Sequence, residues 1–424
     1  MEGRVGKYQI KAELGRGRSS IVYLAFDEFL NSELAVKVYL PNDVPEHALA
    51  ANAQFISEQA LSGKLIHPHI VTIIDAYAED ELRYVAMEYV SGGNLQPFTK
   101  PEHLLPVADV IEIAFKCCGA LDYAHRQGVV HRDIKPSNIL RSGRTDVKIA
   151  DFGAAFVADV ISTQEFRLSS PAYTPPEQIL GEEPTHHGDM FSLGVMLYEL
   201  FTGTRPFRGD NAQAILDSVV TLPAEAPSLR RPDLPKQIDN ILLRMLEKAP
   251  ANRYPTWAEA ALALVTAGRL SVYDHEISDS EKFIALRRST FLRSLGEGEL
   301  WEAVRHGEWR RLPAQHVIVN EGDHGDSLFV LARGSAKVLL KGKLLDLLRA
   351  GDGFGDVGFA LGPDAMRSAT VQTTTDAIVV EFTRATIERL PASSQLKLAL
   401  ALLRVMAQRL TFTSARLVKE ASSS

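Results

Sequence analysis

The sequence predicts a multidomain chain. A two-lobed α+β unit covers residues 8–267, a connector follows at 268–284, and a mainly antiparallel β-roll or barrel with flanking helices fills residues 285–420. Three observations predict this. The chain has 424 residues, enough for two or three separate cores. Within the first part, apolar residues alternate at the period of strands up to about residue 90 and then recur at helical spacing,. Beyond residue 283, short apolar strands alternate with Gly-Asp turns, the pattern of a barrel or roll,.

Composition narrows the class. Hydrophobic residues make up 46% and charged residues 23% of the chain, ordinary globular values that argue against wholesale disorder. A formal charge of −7 gives no footprint for nucleic acid or an anionic membrane. Residues 1–7 lack the apolar core of a secretion signal,. The longest apolar run, residues 191–201, is interrupted by Glu199 and too short to span a bilayer,. A soluble cytoplasmic protein is expected. Cys117 and Cys118 are the only cysteines and are adjacent in a helix-like segment. They read as small core residues rather than a disulfide or a metal site.

In chain order, Tyr8 to Ile10 and Ile21 to Ala25 read as strands around Leu14-Gly15-Arg16-Gly17-Arg18-Ser19-Ser20. The two glycines let the backbone approach phosphates, although a plain hairpin reads the same way. The next strand, residues 33–39, has one lysine, Lys37, among apolar neighbours. A buried ammonium needs a partner, and Glu58, in the helix-like run 47–65, is the candidate. A strand at 83–87 follows, and then a long helix at 107–127. The polar stretch His131-Arg132-Asp133-Ile134-Lys135-Pro136-Ser137-Asn138 brings together a carboxylate, a lysine and an amide at the spacing that phosphoryl transfer needs,.

That stretch resembles the catalytic loop of the protein kinases, H-R-D-x-x-x-x-N, and Asp151-Phe152-Gly153 stands in register with it as the family's D-F-G,. The resemblance implies an ATP-dependent serine/threonine kinase of bacterial style acting on protein hydroxyls. Asp133 would accept the hydroxyl proton and Lys135 would steady the transferring phosphate. Lys37 would hold the α- and β-phosphates, oriented by Glu58, and Asn138 and Asp151 would bind Mg²⁺. ATP would lie against Leu14, Gly15, Gly17, Val22, Ala35, Lys37, Glu88, Val90 and Leu140, with Met87 as gatekeeper. A third glycine is expected where Ser20 stands. Glu177 in Pro-Pro-Glu, Asp189 and Arg253 match scaffold residues of the family. In the activation segment, Ser162, Thr163 and Ser169 are the candidate phosphosites, and Arg132 is the candidate partner for the added charge. Ser170 matches a substrate-contacting position. The His186-His187 pair hints at zinc, against a plainer reading as solvated surface.

In the second unit, Phe354-Gly355-Asp356-Val357-Gly358-Phe359-Ala360-Leu361 followed by Arg367-Ser368-Ala369-Thr370-Val371 resembles the phosphate-binding cassette of cyclic nucleotide-binding domains. The resemblance implies that Gly355, Gly358 and Arg367 meet the cyclic phosphate and Asp356 the ribose 2′-hydroxyl. Ser368 stands where the family distinguishes adenine from guanine, so cAMP or cGMP is the expected effector. Two departures stand out. Asp356 replaces the usual Glu and is shorter by one methylene, about 1.5 Å, and Gly358-Phe359 replaces Ala-Leu. A cassette kept for docking without a nucleotide is therefore the alternative, and a pseudokinase scaffold is a further one that the intact catalytic set disfavours. Arg287-Arg288-Ser289-Thr290 looks like a basic substrate segment. The plainer reading is a helix at the start of the second domain with its arginines in solvent.

Overall fold

A computed structural model describes residues 3–17, 20–40, 45–61, 63–79, 82–152, 170–183, 185–269, 277–289, 291–362 and 364–421. The chain divides into two compact units, Met1–Tyr273 and Asp274–Ser424.

The first unit opens with a six-stranded antiparallel sheet. Its strands are β1 (Arg4–Val5), β2 (Tyr8–Arg16), β3 (Ser20–Asp27), β4 (Ser32–Tyr39), β5 (Ile73–Glu79) and β6 (Leu82–Glu88), in the order β1-β2-β3-β4-β6-β5. The two-residue period of β4 divides its side chains. Leu34 and Val36 pack with Tyr8, Ala25, Tyr84 and Ala86 on one face, while Tyr39 meets Phe55 and Val85 on the other. Phe55 belongs to α1 (Pro45–Leu61). The sequence suggested a helix reaching residue 65, but it ends earlier. Gly63 has φ +72°, a left-handed geometry that stops a helix.

Helices dominate the rest of this unit. In α2 (Val107–Arg126), Val110, Ile113, Ala114, Cys117, Leu121 and Ala124 are buried, the spacing of one helix face. Both cysteines are buried and unpaired, as core residues. The short strands β7 (Ile139–Arg141) and β8 (Val147–Ile149) form a separate ribbon. They are followed by α3 (Pro176–Ile179), α4 (His186–Thr202), α5 (Ala212–Thr221), α6 (Lys236–Met245) and α7 (Trp257–Arg269). The apolar run 191–201 lies in α4. Every residue from Gly188 to Thr202 there is buried, so the run is a core helix enclosed on all sides.

One buried ion pair ties α3 to the segment after α6. Arg253 donates to both carboxylate oxygens of Glu177, at 2.6 and 2.8 Å. Its remaining donor capacity reaches the carbonyls of His187, Glu247 and Lys248. Its side chain is fully buried.

The second unit begins with α8 (Asp279–Arg288), which overlaps the connector expected at 268–284; the Ser278 side chain caps it by accepting from the Glu281 N–H. Next come α9 (Glu297–His306), β9 (Glu308–Leu312), β10 (Val317–Val319), β11 (Leu328–Arg333), β12 (Ser335–Leu340), β13 (Lys343–Arg349), β14 (Gly353–Phe354) and α10 (Asp356–Leu361). β15 (Thr370–Thr373), β16 (Ala377–Phe382), α11 (Arg384–Glu388) and α12 (Ala392–Ala421) complete it. Two four-stranded antiparallel sheets, β10-β15-β12-β13 and β14-β11-β16-β9, enclose a core of Phe329, Leu331, Ala336, Leu348, Phe354, Val371, Ala377 and Val379. Within the basic segment, residues 287–289 take the plainer form, and residue 290 lies outside the described residues. Arg287 and Arg288 are exposed at the end of α8, and the Ser289 hydroxyl is buried and donates to the Gly351 carbonyl at 2.9 Å.

Removing one partner of a buried pair leaves an uncompensated charge. Arg253→Met is therefore expected to destabilise the first unit by about 3–5 kcal/mol. Urea unfolding of the full chain checks this, and the Glu177→Gln/Arg253→Met double variant is expected to cost less than the sum of the singles.

Candidate active site and ligand cassette

Lys37 sits in one row of the sheet with Gly15 and Val22: Gly15 pairs with Val22, and Val22 with Lys37. The glycine-bearing turn closes with the Gly17 N–H donating to the Ser20 carbonyl at 2.8 Å. Ala35 lies on the same strand, between Leu24 and Met87 in register. These pairings place the turn and the lysine on neighbouring strands although 20 residues separate Gly17 from Lys37.

The Lys37 ammonium is buried between two carboxylates, with Glu58 Oε1 at 2.6 Å and Asp151 Oδ1 at 2.8 Å. Burial works against the ammonium, but Asp151 and Glu58 outweigh it and raise its pKa well above the ordinary lysine value,. The two acids diverge. Burial lifts Glu58 to about 7 despite the lysine. For Asp151 the cost of burial is exceeded by its contacts with Lys37, which hold it far below the usual carboxylate range.

The loop at 131–138 is pinned from below by α4. Asp189 accepts the backbone N–H of His131 at 2.7 Å and of Arg132 at 2.8 Å. Those bonds hold Arg132 at φ +68°, a left-handed conformation that costs a non-glycine residue roughly 1–2 kcal/mol. The His131 ring lies against Phe152 at 4.4 Å and reaches the Ala150 carbonyl at 3.0 Å. Lys135 Nζ is 2.5 Å from Asp133 Oδ2 and 3.1 Å from Ser170 Oγ. The Asn138 side-chain N–H₂ donates to the Asp133 carbonyl and to Asp133 Oδ2, at 2.8 and 3.1 Å, which leaves its own oxygen as an acceptor.

The structure thus assembles two sets, Lys37 with Glu58 and Asp151, and Asp133 with Lys135, Asn138 and Ser170. Leu140 lies in β7, in register with Lys148 of β8. Glu88 donates its N–H to the Thr72 carbonyl and pairs through its side chain with Lys148 at 2.5 Å. Leu14 is exposed, and Val90 is half-buried. Lys148 was not singled out from sequence, because a lysine in a short strand carries no signal of its partner. Ser162, Thr163 and Ser169 lie outside the described residues. His186 stacks on His187 and on His125, with ring centroids 3.9 and 4.4 Å apart. Among the described residues no group of three His, Cys, Asp or Glu side chains could hold a metal ion.

In the second unit Gly355 takes φ +82° and leads into α10. The Arg367 guanidinium packs against the backbone of this turn. It donates to the Ser327 carbonyl and hydroxyl, both at 2.9 Å, and to the Gly355 carbonyl at 3.5 Å. A Cβ at Gly325 would stand 2.3 Å from Arg367 Nε, so glycine is required for the approach. Ser327, which sequence did not single out, in turn donates to Glu381 at 2.6 Å. Gly358 packs beside Gly325, whose carbonyl a Cβ would approach to 2.8 Å. Arg367 and Asp356 are buried, and Ser368 is exposed. Burial pushes the Arg367 pKa down. Among the described residues no carboxylate forms an ion pair with it; every hydrogen-bond partner is neutral.

Residues 8–263 match the protein kinase domain family, and residues 309–394 match the cyclic nucleotide-binding domain family. Serine/threonine-protein kinase PrkC of Bacillus subtilis (strain 168) is 35% identical over 266 residues, which is 62% of this chain and 40% of that protein. Serine/threonine-protein kinase PknB of Mycobacterium tuberculosis (strain ATCC 25177 / H37Ra) is 32% identical over 302 residues, 69% of this chain and 47% of its own length. The chain therefore spans less than half the length of these curated relatives. The crystal structure of the M. tuberculosis PknI kinase domain aligns with a TM-score of 0.51 at 29% identity, covering 63% of this chain and 98% of that one. Among the described residues no helix is long and apolar enough to cross a membrane.

The proton on Glu58 makes stability depend on pH. Its folded pKa of about 7 lies above the ordinary glutamate value of 4.5, so between these values the folded state holds a proton that the unfolded state has already released. Its contribution is fully present below about 4.5 and is lost as pH rises through about 7,. Thermal unfolding from pH 5 to 8 is expected to show wild type losing stability relative to Glu58→Gln as pH increases.

Proposed function

This chain belongs to the protein kinase family, and on that premise we propose that it transfers the γ-phosphate of ATP to serine or threonine hydroxyls of proteins, under control of a cyclic nucleotide held by its second unit. The observation that carries the catalytic part is the buried Lys37 joined at once to Glu58 and Asp151. A lysine fixed by a carboxylate from α1 is poised to hold the α- and β-phosphates, with Gly15 and Gly17 covering them and Leu14, Val22, Ala35, Glu88, Val90 and Leu140 around the adenosine. Asp133 accepts the proton of the attacking hydroxyl as its oxygen forms a bond to the γ-phosphorus and the bond from that phosphorus to the β–γ bridging oxygen breaks, releasing ADP. Lys135, already on Asp133, is the positive charge beside the transferring group. Asn138 and Asp151 suit Mg²⁺, since Asn138 spends its N–H₂ on Asp133, and its oxygen, which accepts only a 3.4 Å bond from the Ser137 hydroxyl, has a lone pair for a hard cation,. The ion would offset the charge developing on the phosphates.

For the second unit the supporting observation is the buried Arg367 cation with only neutral partners, on a glycine-lined turn. Glu381, Asp326 and Asp323 favour its charge from a distance, and the remaining cost of desolvation is what an anion in direct contact would offset. A cyclic phosphate meeting Arg367 beside Gly355 and Gly358, with Asp356 toward the ribose and Ser368 toward the base, supplies that anion. Binding alters activity only to the extent that the nucleotide favours the active arrangement over the inactive one.

Transfer from labelled ATP to a protein substrate, with and without cAMP and cGMP, tests both parts. Asp133→Asn is expected to lower kcat by about 10²–10⁴-fold while the fold, followed by circular dichroism, is kept. Activity insensitive to this change would overturn the catalytic assignment. Arg367→Lys keeps a cation but loses the bidentate fork and is expected to abolish the nucleotide response while basal transfer continues. Transfer unaffected by either nucleotide would recast the second unit as a docking module.

A further inference from the structure

Two elements meet at Lys37 in matched pairs. On β4, Lys37 and Tyr39 stand two residues apart and so share a face of the sheet,. On α1, Phe55 and Glu58 stand three apart and share a face of the helix,. The two faces oppose one another. Lys37 meets Glu58 at 2.6 Å, and the rings of Tyr39 and Phe55 meet edge to face, with centroids 5.6 Å apart and planes at 79°. The Lys37 ammonium also lies over the Tyr39 ring, 5.3 Å from its centroid. All of these side chains are buried.

Phenylalanine at position 39 would make every one of these ring contacts. The hydroxyl is what needs a reason, because a buried phenol without a partner bears the cost of its lost hydration. Among the described residues Tyr39 Oη has no hydrogen-bond partner, and neither has Glu58 Oε2. One is a donor and the other an acceptor. The other oxygen of Glu58 is taken by Lys37, and the neighbouring Asp151 is held ionised by Lys37 despite its burial, so it has no proton to offer. Burial raises the Tyr39 pKa well above its ordinary value, Lys37 opposes the rise and Glu58 adds to it, so the hydroxyl keeps its proton. Burial likewise raises Glu58, while contacts with Lys37 and Tyr39 pull it back. The phenol thus stands beside the carboxylate that lacks a donor.

We propose that Tyr39 is a positioning residue for phosphate transfer: its hydroxyl closes onto Glu58 Oε2 during the reaction and so fixes the carboxylate that orients Lys37. The inference rests on the catalytic reading of Lys37 given above. Lys37 divides its ammonium between Glu58 and Asp151, and phosphate oxygens compete for the same donors. Glu58 then keeps a smaller share of the lysine. A second donor at Oε2 restrains the carboxylate at that moment, and the packing of Tyr39 against Phe55 already holds the phenol in place. Such a bond acts as a preorganised dipole, since both groups are buried before the reaction begins,.

Tyr39→Phe in the full chain tests it, since phenylalanine keeps the ring contacts and deletes only the hydroxyl. Steady-state transfer is expected to show kcat lowered about 3- to 10-fold, the worth of one hydrogen bond, with the KM for ATP changed less than about twofold. Thermal unfolding of the same protein in the absence of nucleotide supplies a second readout. Its midpoint is expected to be no lower than that of wild type, because a hydroxyl without a partner has been removed. A side chain kept only for its packing would leave kcat unchanged in Tyr39→Phe and lose it only in Tyr39→Leu, where the ring is gone. In a Glu58→Ala background, Tyr39→Phe is expected to change kcat less than about twofold, since the acceptor is absent. Equal kcat in wild type and Tyr39→Phe, a fall in kcat matched by a fall in the unfolding midpoint, or a loss that adds fully to that of Glu58→Ala would overturn the proposal. A wild-type chain that transfers no phosphate would overturn the catalytic reading, and this inference with it.

Discussion

The candidate site of the first unit depends on the buried cation of Lys37. Lys37 leaves β4 between the apolar Val36 and Val38, and its charge is tolerable only because α1 supplies Glu58 and the chain just past β8 supplies Asp151. The three residues come from far-apart stretches, 21 and 114 positions from the lysine. The buried ammonium could not stay charged without these carboxylates, since desolvation of a lone charge exceeds what a marginally stable domain can bear. The ion cluster therefore fixes α1 and the segment after β8 relative to the sheet. The same cluster anchors the row in which Gly15, Val22 and Lys37 pair across neighbouring strands.

A second layer of fixation lies beneath the loop at 131–138. Asp189 sits in a helix buried along almost its whole length, and its two oxygens hold the backbone of His131 and Arg132. The strain at Arg132 is offset by these bonds, so Asp133, Lys135 and Asn138 project from a backbone with little freedom. The Glu177–Arg253 pair does the same farther out, with all of the arginine's donor groups engaged. The second unit repeats the theme in reverse. There a buried arginine hydrogen-bonds only to neutral groups, while Glu381, Asp326 and Asp323 favour its charge without pairing with it.

Much of this was legible in the chain. The two-residue period of β4 and the helical spacing of α2 placed the elements, because each side chain's partition between core and water follows directly from its chemistry. Lys37, Glu58, Asp133, Asn138 and Asp151 stood out as polar residues in spacings that packing alone does not produce. Other features were hidden. Leu344, Leu345 and Leu347 of β13 do not alternate with polar residues, since the pairing of β12 with β13 shifts register between Val338 and Leu339, so the strand gave no two-residue signal. The Arg-Arg-Ser segment at 287–289 resembled a surface substrate site, and only packing shows the Ser289 hydroxyl turned inward to Gly351.

The sequence by itself determined the order of elements and the polar residue types of the candidate site, because periodicity and local chemistry are properties of neighbours along the chain. Tertiary structure decided which charges meet. Whether Lys37 found Glu58, whether Glu88 found Lys148, and whether Arg367 rested on Ser327 rather than on a carboxylate depends on segments brought together across dozens of residues. Those pairings are chosen by the three-dimensional balance of burial against compensation, which no local pattern records.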